Sequence, residues 1–165
     1  MSFTEEELAY LQSQPLVRIA TVSADGQPDV VTASFELDDG NFYIGGISPQ
    51  ETRRVRNVRA GQRKVALIVD DLVSTDPWTP RFIRVYGTAE LVEREGHLGP
   101  GHYMKIIPAL SWSWNLQGHP VADADADDAG QAPLRRTVHE PTSAHDAAAT
   151  LPPTPTDTLR AGSPE

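Results

Sequence analysis

The chain has no cysteine. That excludes a disulfide framework, a thiol nucleophile and a thiolate metal site, and it fits a reducing, cytoplasmic setting. No apolar run approaches membrane-spanning length, and Met1-Ser2-Phe3-Thr4-Glu5-Glu6-Glu7 opens acidic, without the apolar core of a signal peptide. Positive charge is scarce: 14 Lys and Arg stand against 23 Asp and Glu, for a formal net charge of -9. A broad basic face for general nucleic-acid binding is therefore excluded. No repeat and no Ser-His-Asp pattern can be found. His97 and His102 flank Gly99-Pro100-Gly101 without ligand spacing to a carboxylate, so no metal site is expected. Asp70 and Asp71 form a carboxylate pair after a strand, and because adjacent strand residues face opposite ways no catalytic dyad is expected of them. No catalytic side chain is assigned.

What is present is concentrated. Six of the fourteen basic residues fall between Arg53 and Lys64. The stretch Ser48-Pro49-Gln50-Glu51-Thr52-Arg53-Arg54-Val55-Arg56-Asn57-Val58-Arg59-Ala60-Gly61 reads as a short helix. Ser48 suits the cap, Pro49 the first helical position, Glu51 the capping box and Gly61 the stop. Guanidinium groups bind phosphate through paired hydrogen bonds, so a fork of arginines just after a strand suits an anion. An amphipathic helix with Val55 and Val58 inward would carry the same pattern, and Arg54, with Arg53 beside it, is the residue favoured for the anion. Asn57 has two readings of equal standing, a local brace and a ligand contact.

Composition divides the chain. Residues 118–165 are Ala, Asp, Pro, Thr and Ser with no aromatic residue, which predicts a disordered acidic tail. His119, His139 and His145 fall there and carry no functional weight. Residues 1–117 read as one mainly β (α+β) domain. A helix is expected over 5–13, capped by Thr4 with Glu7. Strands are expected at Leu16–Val22, Val30–Leu37, Phe42–Ile47, Lys64–Val69 (buried on both faces), Arg81–Val92, Tyr103–Ile107 and Trp112–Leu116. Trp78 sits in a Pro77–Pro80 loop, as a ligand or interface platform or as packing over a barrel end. Trp112 and Trp114 alternate on one strand face, as core or subunit interface. Gly45-Gly46 marks a bulge or a close backbone approach. Short strands, tight turns and one inserted helix suggest a small β-barrel.

In order, Leu16–Val22 with Asp25-Gly26-Gln27-Pro28, Phe42-Tyr43-Ile44-Gly45-Gly46 with Thr52–Val58, Lys64–Asp71, Val85–Leu91, Pro77–Arg81 and Ser111–Leu116 resemble the pyridoxamine 5'-phosphate oxidase-like split β-barrel family, and within it a deazaflavin-dependent oxidoreductase subgroup. The resemblance implies a cytoplasmic homodimer with the cofactor in a groove between subunits. It implies Arg54 at the phosphate with Thr52 nearby; the residues themselves add Arg53, and Asn57 in its ligand-contact reading. Thr52 occupies a place that is basic in some members. Thr32, Ala33 and Ser34 would line the ring, and Gly46, Ile47 and Ser48 the ribityl chain. Trp78 would flank the site. The implied activity is hydride transfer from coenzyme F420 to an activated double bond of a small organic substrate. An FMN-dependent enzyme of the same fold and a non-catalytic flavin, deazaflavin or tetrapyrrole carrier are the alternatives. F420 carries an acidic tail beyond its phosphate, which suits the arginine-rich helix better than FMN does. No membrane and no nucleic-acid partner is implied.

Overall fold

The computed structural model describes residues 3–46, 51–121 and 133–140. Helix α1 (Glu5–Ser13) begins as the local signals require: the Thr4 hydroxyl accepts the Glu7 amide at 3.2 Å, and the Glu7 carboxylate accepts the Thr4 amide at 2.9 Å. The strands are β1 (Val17–Val22), β2 (Pro28–Ala33), β3 (Glu36–Asp38), β4 (Asn41–Ile44), β5 (Lys64–Thr75), β6 (Trp78–Gly96), β7 (Gly99–Trp114) and β8 (Arg135–Val138). Helix α2 (Arg53–Arg59) lies between β4 and β5.

All strand pairs are antiparallel, in the order β2-β1-β5-β6-β7-β4-β3, with β8 added to β7. β2 and β3 stand at opposite ends of this order, yet only Ser34 and Phe35 separate them in the chain. Such a link spans about 10 Å at full extension. The sheet must therefore curl until its ends approach, which produces the split β-barrel.

Alternation fills the interior. Val65, Leu67 and Val69 on β5, Ile83 and Val85 on β6, and Met104 and Ile106 on β7 point inward with Phe42. Helix α1 docks through Leu11, which is fully buried. Its Tyr10 hydroxyl donates to Asp71 Oδ1 at 2.9 Å, and Arg81 donates to both Asp71 oxygens at 2.8 and 2.9 Å. The second Glu7 oxygen accepts the Ser113 hydroxyl at 2.7 Å. Truncating a buried leucine of this kind costs about 2–5 kcal/mol.

Several expectations need correction. Helix α2 starts later than Ser48 implied: Thr52 is the cap, accepting the Val55 amide at 3.4 Å, and Ser48-Pro49-Gln50 lie outside the described residues. Gly61 ends it as expected, at φ +95°. The expected strand Val30–Leu37 breaks at Ser34 into β2 and β3. The Trp78 segment is no loop: Thr75 pairs with Trp78 across a tight turn. Tyr103–Ile107 and Trp112–Trp114 belong to one strand, β7, which ends before Asn115 and Leu116. Pro108 does not break it because Pro108 faces Gly87 at a register shift, where a missing N–H is tolerated. β5 is buried on one face only; Ala66 and Ile68 are half-covered.

The expected disorder of 118–165 fails at 133–140. β8 pairs with β7 from Leu110↔Val138 to Ser113↔Arg135. His139 is buried, its Nε2 2.7 Å from Ser111 Oγ and its ring 4.5 Å from that of Phe3. An open β7 edge supplies what composition could not: backbone partners and an apolar seat. Residues 122–132 and 141–165 of the expected tail, His145 among them, lie outside the described residues. Among the described residues no helix is long and apolar enough to cross a membrane.

Candidate anion and cofactor site

Asn57 fixes where α2 sits. Its side-chain amide donates to the buried Thr21 hydroxyl of β1 at 2.9 Å, while Val55 and Val58 press into the core. The buried Asn57 thus acts as a brace for the helix. Bracing turns Arg54 toward the exit of β4. Its Nη2 donates to the Gly45 carbonyl at 3.1 Å, and its buried Nε has no hydrogen-bond partner among the described residues. Burial lowers the Arg54 pKa from the usual arginine value, opposed by the charge of Asp29. A guanidinium does not lose its proton in such a place. It remains a half-desolvated cation with a donor unused, and an anion would relieve both penalties.

The glycine pair makes room for this arrangement. A Cβ on Gly46 would lie 3.3 Å from Arg54 Nη2, and one on Gly45 would lie 2.8 Å from a Tyr103 ring carbon. Side chains at either position would displace the guanidinium or the tyrosine. Arg53 is exposed and reaches Asp29 of β2 only at 3.9 Å, a surface contact of little energy. Thr52 serves as the helix cap.

Other expected site residues are spread out. Thr32 and Ala33 point to opposite faces of β2, since Thr32 pairs with Arg18, which is exposed, and Ala33 with Val17, which is buried. One flat ring cannot be lined by both side chains from the same subunit. Ser34 lies in the β2–β3 link and Gly46 beside Arg54. Ile47 and Ser48 lie outside the described residues. Trp78 is exposed at the β5–β6 turn, far along β6 from Ala89, where the segment after α2 attaches through Arg63. His97 contacts Glu36 at 2.8 Å and His102 approaches Glu93 at 3.6 Å, both around the β6–β7 turn.

The outer face of the sheet went unread in the sequence. One cross-strand row runs Thr32, Arg18, Ile68, Arg84, Trp112, Arg136; the next runs Val30, Ala20, Ala66, Tyr86, Leu110, Val138. Val30, Tyr86 and Val138 are exposed at 68, 40 and 52%. The signal was alternation at Phe82-Ile83-Arg84-Val85-Tyr86, which marks two faces without saying which one is left open.

Comparison with known proteins agrees with the topology. Residues 3–131 match the family described as pyridoxamine 5'-phosphate oxidase. The 5a,11a-dehydrotetracycline/5a,11a-dehydrooxytetracycline reductase of Streptomyces rimosus is 34% identical over 142 residues, covering 79% of this chain and 99% of that protein. A conserved hypothetical protein of Mycobacterium tuberculosis shares the fold with a TM-score of 0.56 at 21% identity, over 70% of this chain and 86% of that one. A structure described as an F420 reductase superimposes with a TM-score of 0.52 at 19% identity, over 66% of this chain and 98% of that one. The split barrel with its inserted helix and these matches together establish that the chain belongs to the pyridoxamine 5'-phosphate oxidase family of oxidoreductases.

Proposed function

We propose that the protein is a homodimeric reductase that uses coenzyme F420 to reduce an activated double bond in a fused-ring organic substrate. The observation that carries this reading is Arg54, a half-buried cation that lies beside a glycine pair and whose Nε has no partner among the described residues. That donor set fits a phosphate. The exposed Arg53 and Arg56 on the same helix extend positive charge beyond it, which suits a ligand with an acidic tail. The name of the Streptomyces rimosus relative supports an unsaturated polycyclic ketone as the class of substrate.

When bound, the deazaflavin supplies the hydride. The chain supplies binding and orientation. Arg54 anchors one end of the cofactor, Gly45 and Gly46 permit close backbone approach, and Asn57 holds the helix that carries the arginines. The half-open outer face, with Val30, Tyr86 and Val138, is the surface for a second copy, which would keep water out of the groove between them.

Equilibrium titration with F420 and FMN tests the assignment. F420 is expected to bind more tightly; tighter binding of FMN overturns it. Single-turnover mixing of reduced F420 with enone acceptors is expected to bleach the enone. Absence of transfer to any acceptor would leave a cofactor carrier.

A further inference from the structure

Three side-chain nitrogens among the described residues are buried without a hydrogen-bond partner: Arg54 Nε, Arg84 Nε and His139 Nδ1. Arg54 belongs to the cradle described above, and His139 is engaged through its other ring nitrogen. Arg84 repeats the Arg54 signature at a different place. Its neighbours Ile83 and Val85 are fully buried, so Arg84 stands on the outer face, whereas α2 packs on the inner side of β1 through Thr21.

The surroundings of Arg84 are specific. Its Cζ lies 4.2 Å from the Trp112 ring centre and 5.5 Å from that of Tyr86, and the two rings meet edge to face at 4.9 Å. Across Trp112 in the same row stands Arg136 of β8. Arg84 stacks on the indole, and the exposed Arg136 flanks Trp112 by strand register. Arg18, Arg63, Arg81 and Arg94 all meet carboxylates, but among the described residues neither Arg84 nor Arg136 forms an ion pair. A stacked guanidinium uses its face on the ring and keeps its in-plane N–H donors for oxygen acceptors. If this face meets a second copy, like charges meet as well, and an anion between them offsets the repulsion.

We infer that Arg84, Trp112 and Arg136 form a second anion site, which takes a flat conjugated carboxylate or enolate with its ring on Trp112 and its oxygens toward the two guanidiniums. The anion site stands independently of Arg54. Its use as the seat of the substrate rests on the function proposed above. It also gives β8 a purpose, since that strand brings Arg136 to the site.

Calorimetric titration of the full chain with naphthoate, and with its neutral isostere naphthamide, tests the inference. Naphthoate is expected to bind, with naphthamide, R84Q and R136Q each weakening the interaction by about tenfold or more. R84K, which keeps the charge, serves as the folding control with far-ultraviolet circular dichroism and is expected to retain part of the affinity. Four results overturn the inference: no saturable naphthoate binding, equal binding of the amide, affinity unchanged in R84Q, or an equal loss in R54Q, which would put the probe in the cradle. A fifth does so too: R84Q and R136Q altering only the dimer equilibrium in sedimentation, which would make an acidic surface of the second copy the occupant. Titration of the same wild-type sample with F420 reports on the earlier reading alone. Failure there with naphthoate binding intact sinks the cofactor assignment and leaves this site standing.

Discussion

Replacing Arg54 by Gln should separate binding from stability. In the free protein Arg54 contributes one charge-assisted bond, to the Gly45 carbonyl at 3.1 Å. Such a bond stabilises by about 1.5–3 kcal/mol. Against it stands the buried Nε, which has no partner among the described residues, a penalty of about 1–3 kcal/mol. The two nearly cancel, so R54Q should change unfolding free energy by no more than about 1 kcal/mol. The cofactor complex has no such compensation. Losing one hydrogen bond from a cation to a phosphate raises Kd about 10- to 150-fold. R54K, with charge but no fork, should fall between. F420 titrations at two salt concentrations, with urea unfolding followed by circular dichroism, read both quantities. An unchanged Kd removes Arg54 from the site. A loss of stability beyond about 2 kcal/mol would make Arg54 a structural residue and refute the reasoning.

Other perturbations should behave differently. Asn57→Ala leaves the buried Thr21 hydroxyl without its donor and should cost about 1–3 kcal/mol in urea unfolding; a neutral result would deny that the bond positions α2. Burial pushes the Asp71 carboxyl up, but the bonds from Arg81 and Tyr10 and the charge of Arg81 prevail and hold it below the usual carboxylate value. Its stabilisation is therefore present above about pH 4 and is lost as pH falls through the lower folded value. Asp71→Asn should destabilise at pH 7 and flatten the acid limb of the pH–stability curve; an unaltered limb refutes it. Burial lowers the pKa of His139, with Glu7 opposing. The unfolded chain takes up that proton first, so docking of β8 should be full above about pH 6.5 and weaken below it. The protection factor of the His139 amide, which donates to the Ala109 carbonyl at 3.0 Å, should fall between pH 7 and pH 5 once the intrinsic slowing of exchange is divided out. An unchanged protection factor counts against it.

Local signals were readable in the sequence and non-local ones were not. Thr4 and Glu7 act within one turn, so the start of α1 could be read directly. The start of α2 could not, because Ser48 and Thr52 both suit a cap and only the pull of Asn57 on Thr21 decides where the helix sits. The continuity of β7 through Pro108 depends on the bulge opposite Gly87, which belongs to another strand. Arg54 was legible as a candidate; its unpartnered nitrogen was not, being a property of packing. β8 was hidden by the composition around Arg135–Val138, and its stability comes from the edge of β7. Which face of the sheet the pleat of β2 gives to Thr32 and which to Ala33 depends on pairing with β1, which the sequence alone does not show.

Glu7 divides its two carboxylate oxygens between the Thr4 amide and the Ser113 hydroxyl. Fraying is thereby made a joint event: the opening turn of the first helix cannot unwind without releasing the far end of the longest hairpin. A protease or a deuterium label reaching one of these distant segments should reach the other at the same rate, so the terminus behaves as part of the most slowly opening unit of the molecule.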